Sequence, residues 1–188
     1  MYPGFEVVAN SERDLDPIEI VPYDPEWPAR FEAWRVKLAA ALGPTARRID
    51  HFGSTSIPGL PAKPVIDIQV RVDDMTREDL YVPQIEALGV QLRSRDDDHR
   101  FFRPPAGKPR DVHIHVSNVG SEWSRKDLLF AAFLRQDAAA RGEYLRGKEQ
   151  AAARWADDRI AYTEAKTEVI ASIAPRAEEW ARATGWKP

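Results

Sequence analysis

The chain has 188 residues, 43% hydrophobic and 30% charged, which is enough to bury the core of one globular domain. A formal net charge of −3 and a pI near 5.9 argue against a general binder of nucleic acid or anionic membrane, since the overall field attracts neither. The absence of cysteine excludes a disulfide framework and thiol chemistry, and no apolar run reaches the ~20 residues of a membrane span.

Met1 opens onto Tyr-Pro-Gly, with neither a basic n-region nor an apolar h-region, so no secretory signal is expected and the cytoplasm is the default compartment. Residues 1–16 show no period and read as a flexible N-terminal extension to a single domain over 17–188. Residues 18–22 read as a short strand. Asp24-Pro25-Glu26 opens a helix, with an acid at the N-cap and proline at the first helical position. Trp27, Phe31, Trp34, Leu38 and Leu42 follow at helical spacing until Gly43-Pro44. Residues 47–52 and 64–72 read as strands, the second apolar on both faces, and Pro58, Gly59 and Pro61 stiffen the loop between them. Residues 76–88 read as a helix with Asp79 as capping acid and Gly89 closing it, in which Pro83 either makes a kink or sets the true start. Residues 90–93, 100–103 and 111–116 read as further strands, joined by Asp96-Asp97-Asp98 and by Pro104-Pro105-Ala106-Gly107. Ser121 caps a helical segment carrying Leu128, Leu129 and Phe133. An alanine-rich segment follows, and Asp157 or Asp158 caps a last helix to about residue 173. The order predicts a mixed sheet followed by a helical layer.

Residues 51–70 carry the densest signal. Gly53 and Ser54 form a small-residue turn able to bring backbone N–H groups and a hydroxyl to an anion, and Asp67 follows between Val65-Ile66 and Ile68 on an otherwise apolar strand. A charge there loses solvation unless a divalent ion, Lys63 or an arginine meets it. The run from Gly53-Ser54-Thr55-Ser56-Ile57-Pro58-Gly59-Leu60 through Lys63-Pro64 to Ile66-Asp67 resembles the GrpB family. Phe101-Phe102-Arg103, His113-Ile114-His115-Val116 and Ala161-Tyr162-Thr163-Glu164-Ala165-Lys166 extend the likeness from about residue 18 to residue 173. The resemblance implies a branch of the nucleotidyltransferase superfamily, with an α/β (α+β) fold: a nucleotidyltransferase-like mixed β-sheet flanked by helices, with a C-terminal helical layer. Phe52-Gly53-Ser54 and Asp67-Ile68-Gln69-Val70 occupy that superfamily's signature positions. Gln69 departs from it, standing where a second carboxylate would be. A neutral amide is a poor magnesium ligand, so a single-ion site or lost catalysis follows. The superfamily's third acid falls near His113 or His115, which suit softer metals, proton transfer or phosphate contact.

Each candidate carries a plainer alternative. Gly53 and Ser54 serve either a phosphate or a turn that needs small residues; Thr55 and Ser56 offer hydroxyls to a ligand or to their own loop. Lys63, its backbone stiffened by Pro61 and Pro64, reaches toward a phosphate near Ser54 or stands exposed at a strand mouth. Gln69 shares a strand face with Asp67 by the two-residue period, as a substrate reader or as an ordinary polar residue. Arg103 and Lys166 are candidate anion contacts from opposite walls, with Tyr162 as the stacking or hydroxyl partner that the resemblance implies. The alternative is that Glu164, Lys166 and Glu168 form a solvated helix face. Asp67, His113 and His115 are the expected catalytic residues, and Asp67 with His115 the expected ligands of a divalent metal, magnesium or manganese. His51, two residues before the turn, reads as a satisfied core histidine, the alternative being that it joins Asp67, His113 and His115; His99 reads as solvated, and Trp123, Trp155, Trp180 and Trp186 as packing residues.

These readings predict a transferase that binds a nucleoside triphosphate with a divalent metal and passes a nucleotidyl or phosphoryl group to a small-molecule acceptor. The rival is a nucleotide- or anion-binding accessory module that has lost the second carboxylate, which suits the family's fusion to dephospho-CoA kinase. A third reading is a His/Asp metal-dependent phosphoester hydrolase.

Overall fold

The computed structural model describes Glu6, Val7 and residues 18–188, the Val7 and Arg159 side chains excepted. Six strands, β1 (Glu6–Val7), β2 (Arg48–Phe52), β3 (Ile66–Val72), β4 (Gln91–Arg95), β5 (Arg100–Arg103) and β6 (Val112–Asn118), form one sheet in the order β1-β4-β5-β6-β3-β2. β3 and β6 run parallel and the other neighbours antiparallel, as a mixed α/β sheet requires. The helices are α1 (Trp27–Leu42), α2 (Val82–Glu86), α3 (Glu122–Gln136), α4 (Ala138–Arg154) and α5 (Arg159–Thr184).

The two-residue period of β3 splits the molecule. Ile66, Ile68, Val70 and Val72 join Val112, Ile114 and Val116 of β6 in a core under α1 and α2, with Trp27, Leu38, Leu42, Tyr81 and Ile85 buried against them. Asp67, Gln69 and Arg71 therefore point to the other face, where α3 lies: the Ser124 hydroxyl donates to Gln69 Oε1 at 2.6 Å. A second apolar core, including Leu129, Phe133, Leu134, Tyr144, Ile173 and Ala177, binds α3, α4 and α5 to one another and to Ile57 and Leu60 of the 53–63 loop. Among the described residues no helix is long and apolar enough to cross a membrane.

Several expected elements differ. Residues 18–22 make one bridge, Val21 to Ala62, instead of a strand, because Pro22 offers no N–H to a ladder. The α1 N-cap is Glu26 without a side-chain bond, and Asp24 instead accepts the Glu26 N–H at 2.9 Å. Pro83 sets the start of a short α2, and Asp79 pairs with Arg77 instead of capping. Ser121 and Asp158 cap α3 and α5 as the sequence suggests, but α5 continues through Pro175 to Thr184. Of the predicted N-terminal extension, Glu6 and Val7 pair with β4, and the rest lies outside the described residues.

Candidate functional site

The site lies where the loop after β2 meets the start of β3. Gly53 has φ +70° and ψ −173°, a conformation open almost only to glycine. A β-carbon there would overlap the Asp67 carboxylate and come within 3.0 Å of the Asp67 Cβ and Cγ. The small residue is thus required twice, by the backbone angle and by the acid pressed against it.

Adjacent parallel strands pair Asp67 with His113 and Gln69 with His115 in register. One ligand atom each from Asp67, His113 and His115 lies within 4.8 Å of the others. His113 Nδ1 stands 3.2 Å from Asp67 Oδ1, and Arg110 Nε donates to His113 Nε2 at 3.3 Å. A guanidinium only donates, so Nε2 accepts and Nδ1 carries the proton that it gives to Asp67. Burial lowers the His113 pKa against the pull of Asp67, consistent with a neutral ring. Burial alone would raise the Asp67 pKa. The His113 hydrogen bond, helped by electrostatic attraction from the His113, His115 and Lys63 side chains, outweighs it and holds the carboxyl below its usual value.

His115 is enclosed by rings. Phe52, His99, Phe101 and Trp123 have centroids 5.3, 5.1, 4.9 and 5.6 Å from its own, and its buried Nδ1 has no hydrogen-bond partner among the described residues. Burial, followed by the charge of His99, keeps its pKa well below the ordinary value. His99, expected in solvent, instead stacks 4.5 Å from Trp123 and bonds Asp96 at 2.9 Å. Trp123, expected as plain packing, walls the site through that stack. His51 is the satisfied histidine the sequence suggests, stacked on Phe31 and 3.0 Å from the Thr55 hydroxyl.

Beside this cluster is a cavity of about 200 Å³, lined by Gly53, Ser54, Asp67 and His115 from the sheet side and by Asp127, Phe130, Tyr144 and Lys166 from the helices. Ser54 Oγ lies 3.3 Å from the Tyr144 hydroxyl. Three lysines gather behind it. Lys63 and Lys166 sit 5.1 and 5.0 Å from the Tyr162 ring centroid, and Lys148 5.1 Å from that of Tyr144. Lys148 is 1% exposed and donates to the Pro61 carbonyl at 2.6 Å; burial lowers its pKa to about 7. Burial opposes the charge on Lys166, but Tyr144, Tyr162, Asp67 and Asp127 together raise its pKa.

A sequence profile of the GrpB protein family matches residues 17–176. The chain belongs to the GrpB family. A UPF0157 protein of Halalkalibacterium halodurans is 36% identical over 163 residues, covering 85% of this chain and 82% of the relative. A dephospho-CoA kinase of Mycolicibacterium paratuberculosis is 35% identical over 201 residues, and the match takes in 92% of this chain but 49% of the kinase, so this chain spans about half of that relative. Among solved structures, the conserved protein GrpB from Enterococcus faecalis superposes with a TM-score of 0.76 at 27% identity, over 86% of this chain and 99% of that one. A chain of the GLD-2/RNP-8 complex superposes with a TM-score of 0.54 at 15% identity, over 82% of this chain and 60% of that one. The GrpB fold is nucleotidyltransferase-like.

The GrpB chain does not bring every candidate to the cavity. Thr55 is 1% exposed and its hydroxyl donates to the Val65 carbonyl, so it ties the loop together. Gln69 shares the Asp67 face but is fully buried under α3, its carbonyl held by Ser124. Arg103 is 6% exposed on β5 and outside the cavity lining, so it does not face Lys166 across a cleft. Sequence reasoning missed Asp127, Tyr144 and Lys148. The spacing Tyr-x-x-x-Lys occurs twice, at 144/148 and 162/166, and marks the GrpB lysines and tyrosines together. Asp127 falls three residues after Ser124 and four before Ala131, on the inward stripe of α3.

Proposed function

We propose that the chain binds a nucleoside triphosphate and transfers a nucleotidyl or phosphoryl group from it to a small acceptor. The observation that carries this reading is the Gly53 turn seated directly on the Asp67 carboxylate, with the Ser54 hydroxyl and Lys166 opening onto the same cavity. Phosphates would rest on the backbone and hydroxyl of Ser54, and the lysines would oppose the charge that develops as pyrophosphate leaves.

One carboxylate and two imidazoles suit zinc, iron or nickel better than magnesium, which prefers oxygen. Arg110 occupies Nε2 of His113 and Asp67 takes its Nδ1 proton, leaving Asp67 and His115 as the residues that would hold an ion, with His113 orienting the carboxylate. A bound ion would supply charge neutralisation for the phosphates.

The second reading, a binding module, is favoured by Gln69: it is sealed beneath Ser124, so a side chain at the position of the missing acid does not reach the cavity. Calorimetric titration with ATP, GTP, CTP and UTP, each with Mg²⁺, Mn²⁺, Zn²⁺ or no metal, separates the two. Metal-dependent binding that Asp67→Ala abolishes supports the transferase. Metal-independent binding that survives in Asp67→Ala supports the module, and no binding in any condition sinks both.

A further inference from the structure

We propose that Asp127 on α3 takes the proton from the acceptor during transfer, a role that rests on the transferase reading above. Asp127 lines the cavity from the helical wall, facing Asp67 of β3, His115 of β6, Tyr144 of α4 and Lys166 of α5. On the sheet side of this interface Asp67 bonds His113, Asp50 pairs with Arg71 and Gln69 Oε1 accepts from Ser124, while Gln69 Nε2, Arg71 Nε, His115 Nδ1 and Ser117 Oγ have no partner among the described residues. Among the described residues no hydrogen bond or ion pair reaches the Asp127 carboxylate. A half-buried acid without a donor works against folding, so its place has to be explained by something other than stability.

Proton transfer explains it. The carboxylate opens on the same cavity as Ser54 and Lys166, and an acid held there without a donor of its own keeps its oxygens free to accept the proton of a bound hydroxyl. The histidines are less suited, because the His113 Nε2 accepts from Arg110 and His115 is boxed in by four rings. In the step, the acceptor hydroxyl oxygen forms a bond to the α-phosphorus of the nucleoside triphosphate. The bond from that phosphorus to the bridging oxygen breaks, and its electron pair leaves with pyrophosphate. The hydroxyl proton passes to the Asp127 carboxylate, and nothing is oxidised or reduced. Ile57, Phe130, Ala131 and Ile170 line the apolar side of the cavity beside Asp127, which fits an acceptor alcohol that carries an aliphatic part.

The test uses α-labelled nucleoside triphosphates, Mn²⁺ or Zn²⁺ and a panel of small alcohols, with the whole chain as wild type, Asp127→Asn and Asp127→Glu. Calorimetry reports nucleotide binding for each and so shows that the variants fold. The expected result is transfer at least ~100-fold slower in Asp127→Asn with affinity within ~3-fold, loss of the acidic limb of the rate profile, and partial recovery in Asp127→Glu. Transfer in Asp127→Asn within ~3-fold of wild type, or an unchanged acidic limb, overturns the role of Asp127 while leaving the transferase reading intact. Absence of transfer by the wild type to every alcohol overturns both.

Discussion

Two residues show how local chemistry and stability are set against each other in the cavity. Gly53→Ala meets a left-handed backbone angle and the Asp67 carboxylate at once, so urea denaturation should find it about 1–3 kcal/mol less stable. The same variant should lose metal-dependent nucleotide binding, since the added methyl displaces the acid; full binding with full stability would contradict the account of the turn. Asp127 works in the opposite sense. Its pKa rises from an ordinary 3.8 to about 7 on folding, so between those values the folded chain holds the proton and the unfolded chain does not. Stability from this group is greatest below about pH 4, falls as the pH rises toward 7 and levels off above it. Asp127→Asn should remove that slope. Urea denaturation at pH 5 and pH 8 should show the variant gaining on wild type by roughly 1–3 kcal/mol at the higher pH, allowing for solvent that reaches the cavity. An equal difference at both values would mean that the carboxyl titrates as it does in water.

At the scale of elements, α5 shows what sequence pattern does and does not reveal. Its N-terminus was legible because Asp158 accepts the Ile160 and Ala161 N–H groups, a cap that depends only on neighbours in sequence. Its C-terminal half was not, because Pro175 breaks the local rule and tertiary packing overrides it: Ile173, Ala177 and Ala181 are buried in the helical core on either side of the proline. Pro175 itself is exposed, so Pro175→Ala restores a backbone donor without disturbing that core and should raise stability by about 1–3 kcal/mol. Differential scanning calorimetry would show it as a higher midpoint, and a lower one would mean that Pro175 itself positions the buried face. The same distinction governs the site. Gly53, Asp67, His113 and His115 were legible because the strand period and the resemblance both point to them. Asp127 and Lys148 were not, since each looks like an ordinary charge on a helix until α3 and α4 are docked on the loop. His99 read as solvated because nothing local announces that Trp123, 24 positions on, will cover it.

The molecule as a whole is two apolar cores joined by a polar seam. One core lies between the sheet and α1 and α2, the other within the α3–α5 layer. Between them, Asp67, Gln69 and Arg71 of β3 and Ser117 of β6 face the helical layer, and the buried Gln69 Nε2, Arg71 Nε and Ser117 Oγ have no hydrogen-bond partner among the described residues. Apolar burial is what resists opening, so separation along this seam should need less free energy than disruption of either core. The cavity lies in the seam and is lined from both sides, which makes a ligand there a bridge between the layers. Hydrogen exchange should therefore show α3 and α5 amides opening more readily than those of β3 and β6. Nucleotide with Mn²⁺ at 100 times its dissociation constant should slow the helical amides about 100-fold, corresponding to about 2.7 kcal/mol, and the strand amides less. If the free protein exchanges through one global opening, with helices and strands responding equally to ligand, the layers form a single cooperative unit. The polar seam then contributes to cohesion as much as the two cores do.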